Sequence, residues 1–249
     1  MPPTPFHGLH CAVVGATGLI GSRIATAFAS RGAAVTLLGR SALEARSRLE
    51  PDLPPPGPHR FIRLNVAEPD DIKAVFGPPV SSCHSNVVGP LDILVNCAGI
   101  SQTTLLRRTP DDELAAILDT NLLATMLVCK HARIRPNGCI INVSSLMANK
   151  GGYGATAYAA SKAGLIAFTR ALCFEMAARS IRVNALLPGW VDSPMWHQLK
   201  PELKEAYLKG IPLNRVADPE EVADAAVFLA SNRFANNCVL NLDGGMSAA

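Results

Sequence analysis

Tyr158 and Lys162 stand four residues apart in Tyr158-Ala-Ala-Ser-Lys162, and Ser145 lies thirteen residues before the tyrosine. The surrounding run, 155–172, is rich in alanine and leucine and lacks proline, so it reads as a helix. Positions i and i+4 share a helix face, which projects the phenol and the ammonium together. Ser145 closes an apolar run, Cys139-Ile-Ile-Asn-Val-Ser-Ser145, that reads as a strand and reaches the same point from a sheet. A phenol beside a cation has a lowered pKa and becomes a competent acid near neutral pH. Three such groups on one oxygen suit carbonyl reduction or alcohol oxidation. The competing reading is a solvated pair on a helix surface, with Ser144 as the alternative to Ser145. The thirteen-residue interval favours Ser145.

These side chains need a scaffold, and the rest of the chain supplies its pattern. Strand-like runs fall at 10–15, 35–39, 60–66, 91–95, 139–144, 182–187 and 238–242. Helical segments are expected at 20–31, 41–49, 69–76, 111–133, 157–179, 201–209 and 219–231. Continuous apolar strands alternating with helices indicate an α/β, doubly wound, seven-stranded parallel sheet of the Rossmann type. Proline-rich loops are expected at 51–59 and 77–90. No repeat or linker divides the chain, so 1–249 is read as one domain.

Composition excludes several classes. With 49% hydrophobic and 17% charged residues the chain can bury a large core. A net charge of +3, dispersed along the sequence, gives no footprint for nucleic acid. No apolar run approaches the roughly 18 to 20 residues of a membrane span. Seven cysteines, without a C-x-x-C pair and mostly in apolar runs, read as buried thiols, with neither disulfides nor a metal site. The first ten residues are too few for a signal peptide or an ordinary transit sequence ahead of the first strand. The expected compartment is reducing, the cytoplasm or the mitochondrial matrix.

A nucleotide site is expected at the first strand-to-helix turn, Gly15-Ala-Thr17-Gly18-Leu19-Ile20-Gly21. Gly15 permits the tight turn, Gly18 admits a pyrophosphate to the backbone, and Gly21 lets the helix pack on the strand. The free amides at the helix start favour an anion. A glycine triplet alone can mark only a turn; here it follows a strand and opens an alanine-rich helix. The second strand ends in Gly39-Arg40-Ser41 with no carboxylate. Gly39 leaves room there, and Arg40 with Ser41 would hold a 2′-phosphate, so NADP(H) is expected over NAD. The alternative is an arginine merely solvated at a strand end.

Together these motifs resemble the compact branch of the short-chain dehydrogenase/reductase family. The resemblance covers nearly the whole chain: the glycine turn, Asn96-Cys-Ala-Gly99, Asn121, Ser145, Tyr158-x-x-x-Lys162, Pro188-Gly189 and Asp243-Gly-Gly245. It implies Tyr158 as general acid and Ser145 as the hydroxyl orienting the carbonyl. It implies Lys162 on the nicotinamide ribose, lowering the tyrosine's pKa, and Asn121 fixing a relay water. Asn65 and Val66 would lie by the adenine, with the Asn65 amide where an aspartate is common. Asn96, Ala98 and Gly99 would lie by the adenine ribose. Pro188, Gly189, Val191 and Ser193 would lie by the nicotinamide. Asn121 bonded only locally on its helix is the alternative reading.

Local runs at 96–100 with 105–109, at 120–126, and at 211–215 followed by 219–222 are most similar to 3-oxoacyl-[acyl-carrier-protein] reductases and related mitochondrial carbonyl reductases. That implies a 3-oxoacyl thioester substrate, an acidic carrier-protein partner meeting Arg107, Arg108, Arg135 or Arg179, and a homotetramer or homodimer. Reduction or oxidation of a polyol, quinone, steroid or specialised metabolite is the alternative. A non-catalytic NADP-binding regulator is a third reading, opposed by the four intact catalytic positions. The glycine spacing departs from the branch's usual one and removes a basic residue from the turn. The segment 130–138 is about one helical turn short, which bears on assembly, and Ala235-Asn-Asn237 replaces a common Thr-Gly turn. Residues 190–214 are expected to form a substrate lid, lined by Trp190, Met195, Trp196, Leu199 and Tyr207. These side chains packing on the lid's own helices is the other reading, preferred for Tyr207.

Overall fold

Seven parallel strands pair in the order β3-β2-β1-β4-β5-β6-β7. They are β1 (His10–Val14), β2 (Ala34–Gly39), β3 (Arg60–Arg63), β4 (Leu91–Asn96), β5 (Ile134–Val143), β6 (Arg182–Pro188) and β7 (Val239–Leu242). The computed structural model describes residues 5–54, 59–78, 86–102 and 104–248, without the side chain of Met195. Parts of both proline-rich loops, 55–58 and 79–85, therefore lie outside the described residues, and Cys83 with them.

The helices are α1 (Leu19–Ala29), α2 (Arg46–Leu49), α3 (Pro69–Phe76), α4 (Asp111–Leu118), α5 (Ala124–His131), α6 (Met147–Lys150), α7 (Thr156–Met176), α8 (Pro194–His197), α9 (Pro201–Lys209) and α10 (Pro219–Ser231). Strands that are apolar on both faces require helices on both sides, and two core clusters result. On one side Ile24, Phe28, Val222 and Leu229 of α1 and α10 meet Val13 and Ile141. On the other, Ile72, Phe76, Val128 and Leu172 of α3, α5 and α7 meet Leu94 and Ile140. The strand order reverses between β1 and β4, so the carboxyl ends of β1, β4, β5 and β6 border one crevice. The fold is a single Rossmann-type domain.

Three elements differ from expectation. The segment 111–133 is broken by a π turn, Asp119–Leu123, between α4 and α5. β5 begins at Ile134, ahead of the expected 139, because Ile134 pairs with Leu91 across a register shift and Asn137 takes φ 64°. β3 stops at Arg63, and only Arg46–Leu49 of 41–49 is helical. The six described cysteines are free thiols, four of them buried. Among the described residues no helix is long and apolar enough to cross a membrane.

Candidate active site

Strand β5 delivers two serines to the crevice, and the pleat separates them. Ser144 is buried and its hydroxyl donates to the Lys162 carbonyl at 2.7 Å. Ser145 points the other way. It accepts from Met147 N at 3.2 Å and hydrogen-bonds the Tyr158 hydroxyl. Tyr158 and Lys162 lie one turn apart on α7, as the spacing requires, with the lysine amino group 5.8 Å from the tyrosine ring centre.

The electrostatics correct one expectation. The Tyr158 pKa is raised, chiefly by burial of its hydroxyl; the Ser145 hydrogen bond opposes this and Cys97 adds to it. Lys162 does not lower it, because the amino group turns to the Val143 carbonyl at 2.9 Å. Burial also lowers the Lys162 pKa to about 8, against a smaller opposing effect of Cys97. Held on that carbonyl, the amine does little for its neighbour.

Asn121 is buried within the π turn and is not bonded only locally. Its side chain accepts from Ile100 N at 2.8 Å and donates to Ile100 O and to Ser161 Oγ, each at 3.0 Å. Its side-chain atoms are thus committed to protein partners. Gly99 stands between Asn121 and Lys162: a Cβ there would be 3.2 Å from one side chain and 3.3 Å from the other.

At the β1–α1 turn, Gly15 has φ 83° and a Cβ would lie 2.6 Å from Ala98 N. A Cβ on Gly21 would meet the Gly15 carbonyl at 2.3 Å, so that helix packs as expected. Gly18 differs. Its Cβ would make only an ordinary 3.4 Å contact, so the fold itself does not need glycine there and the surface above is open. α1 starts at Leu19, followed by Ile20 and Gly21, with no side-chain cap and no acid in its first turn. Its first amides have no intrahelical acceptor and can hold an anion.

The room expected over Gly39 is filled. A Cβ there would lie 2.9 Å from the Thr17 hydroxyl, which takes that space. Arg40 and Ser41 are exposed beside it. Arg48 of α2, not foreseen, donates to the Thr17 carbonyl at 3.3 Å and brings a second cation to a turn that lacks its own. The Asn65 side-chain oxygen accepts from Ala67 N at 3.3 Å, while Asp71 holds Asn65 N at 2.6 Å; Val66 is half-buried next to them. The Asn96 side chain faces inward, donating to Asn142 at 2.9 Å and to Cys129, so only its backbone is on the crevice side.

Pro188 and Gly189 end β6 under Leu146 and Leu242, whose backbones they bond. Asp192 N and Ala217 N complete the bridge around Val191, leaving the backbone groups of Val191 itself out of that pairing. The Ser193 hydroxyl is used as the cap of α8, accepting from Trp196 N at 3.2 Å. The aromatic residues of 190–214 pack on one another: Trp190 lies 5.7 Å from Trp196 and 4.5 Å from Tyr207. Leu199 is half-buried. Arg135 pairs with Asp92 at 2.6 Å and Arg179 donates to Ile134 O. Both therefore sit at the amino end of β5, away from the crevice. Arg107 and Arg108 are exposed on the crevice side, next to Leu105, which approaches Gly154.

A family described as enoyl-(acyl carrier protein) reductase matches residues 15–247, from the glycine turn to the last strand and beyond. The chain belongs to the short-chain dehydrogenase/reductase family. It is an oxidoreductase of that family. Similar proteins include the 3-oxoacyl-[acyl-carrier-protein] reductase FabG of Chlamydia muridarum, 38% identical over 243 residues, covering 94% of this chain and 96% of the relative. The Rattus norvegicus 3-oxoacyl-[acyl-carrier-protein] reductase is 38% identical over 239 residues, covering 95% and 97%. Among solved structures, one from Agrobacterium tumefaciens assigned as a 2-deoxy-D-gluconate 3-dehydrogenase, with bound NADP, superposes with a TM-score of 0.86. It is 28% identical and covers all of both chains.

Proposed function

We propose that the chain reduces a ketone to a secondary alcohol with NADPH, and that the ketone is a 3-oxoacyl thioester of acyl-carrier protein or coenzyme A. The observation that carries this is the convergence of Ser145, Tyr158 and Lys162 at the same crevice as the open start of α1. The relatives named as 3-oxoacyl-[acyl-carrier-protein] reductases support the substrate, and the NADP-bound neighbour supports the cofactor.

The residues present fit a phosphorylated dinucleotide. Leu19, Ile20 and Gly21 amides over an open Gly18 would take the pyrophosphate, and Thr17, Arg40, Ser41 and Arg48 the 2′-phosphate. Asn65 and Val66 would border the adenine, and Ala98, Gly99 and the Asn96 backbone its ribose. Pro188, Gly189, the free backbone of Val191 and the α8 turn at Ser193 would border the nicotinamide. Bound there, the dinucleotide supplies the hydride. Tyr158 gives its proton to the carbonyl oxygen, for which a raised pKa keeps it protonated at neutral pH. The Ser145 hydroxyl holds the same oxygen. Lys162 returns the proton to Tyr158, and Asn121 fixes the Ile100 backbone beside that path. Residues 190–214 act as the lid, stiffened by its aromatic packing. Arg107 and Arg108 meet the acidic carrier protein, the chain works as a homodimer or homotetramer, and its compartment is the cytoplasm or the mitochondrial matrix.

The test is NADPH oxidation with acetoacetyl-CoA, run beside NADH and Tyr158→Phe. Turnover is expected with NADPH, and the variant should lose roughly 10²- to 10⁴-fold in kcat while binding NADPH as before. Tight NADPH binding with turnover only on free ketones would overturn the thioester assignment.

A further inference from the structure

Helix α7 carries both Tyr158 and Lys162, yet the residue at its start provides no cap: Ala155 has no side-chain acceptor. Four amides at a helix N-terminus need partners from elsewhere. One comes from a distant loop. Gln102, 5% exposed, accepts at Oε1 from Ala157 N at 2.8 Å and, more weakly, from Tyr158 N at 3.4 Å. Its Nε2 donates to Thr104 O at 2.9 Å and to Thr109 Oγ1 at 3.1 Å. The amide is therefore held at both ends, and its position is fixed by the loop that contributes it.

We infer that Gln102 is a positioning residue for Tyr158, capping the helix of the proposed acid from across the crevice. The inference rests on the reading of Tyr158 as that acid. Tyr158 is the third residue of α7, in the turn where a helix frays first, and Lys162 lies one turn deeper. Both backbone groups of Tyr158 are held by side chains: its N–H by Gln102, its carbonyl by the Ser161 hydroxyl at 2.7 Å. Ser161 is in turn bonded by Asn121, which also clamps Ile100, two residues before Gln102. A closed circuit thus runs from the π turn through both loops to the tyrosine backbone. The groups facing the phenol are Ser145 from the end of β5, Cys97 from the end of β4, and Lys162 from its own helix. A neutral amide at position 102 caps the helix without adding a charge to this set.

Gln102→Met keeps the volume and removes the acceptor. Expected is a 10- to 100-fold loss of kcat, since a displacement of about 1 Å has that cost, with NADPH affinity within twofold. The Tyr158 ionisation, followed by ultraviolet difference titration against Tyr158→Phe, should move upward as the Ser145 bond loosens. The descending alkaline limb of the reduction rate, which needs the protonated phenol, should move up with it. A variant that only loses melting temperature, with an unchanged phenol titration, overturns the role. If Gln102→Met does not fold, amide hydrogen exchange on the unmodified protein decides. Ala157 and Tyr158 protected like the interior of α7 uphold the cap, and exchange typical of an open helix end refutes it. Titration and exchange need no substrate, so they stand apart from the outcome with acetoacetyl-CoA.

Discussion

Helix α1 follows Gly18 with no side chain capping its first amides, whereas α7 begins beneath the buried amide of Gln102. Both starts face the crevice at the carboxyl edge of one sheet, and both bring the same unsatisfied donors. One set has no protein partner among the described residues and, on the proposed reading, is left for a ligand. The other is consumed by the protein, which suits the proposed roles, a side chain presented at a fixed place by α7 and only backbone by α1. The difference shows that an uncapped helix is informative only when the fold has no other reason for it. At Gly18 there is none: φ is −77° and a Cβ would fit.

Gly18→Asp gives the sharpest test of this contrast. Aspartate is a favourable N-cap, better than glycine by only a few tenths of a kcal/mol, so the melting temperature should hold or rise slightly. NADPH binding should weaken by about 100-fold or more, because the carboxylate takes the amides and repels the phosphates. Equal NADPH affinity by calorimetry would remove α1 from the nucleotide site. The smaller effect is at the other helix. Ala155→Ser adds a local cap where Gln102 already acts, and should change stability by about 0.5 kcal/mol or less. In the Gln102→Met background the same serine should restore part of the lost kcat. A full cap's worth of stabilisation from Ala155→Ser alone would mean that Gln102 leaves the helix end open.

Much of this was legible in the sequence because it depends on local spacing. Tyr158 and Lys162 meet through helix periodicity, and Ser145 and Ser144 diverge through strand alternation. Gly21 must be small because its helix starts close to its own strand. Gln102 was not legible, since it acts on residues 55 positions away and no periodicity links a loop to a helix start. The direction of the Tyr158 pKa was not legible, because burial, which raises it, is a tertiary quantity that spacing does not reveal. The π turn hides in a run that is helical in composition throughout. Arg135 and Arg179 carry the right charge, but the early start of β5 puts them at the wrong end of the sheet.

The 2.9 Å bond from Lys162 to the Val143 carbonyl, with a pKa of about 8, makes that amine a site of proton exchange with the buffer. Near pH 8 the free protein holds it about half protonated. An anionic dinucleotide beside it favours the charged form, so complex formation takes up a proton and affinity falls as pH rises above that value. The heat of binding should then depend on the ionisation enthalpy of the buffer, by roughly half a proton at pH 8. Buffer-independent heats there would leave the amine outside the nucleotide's reach.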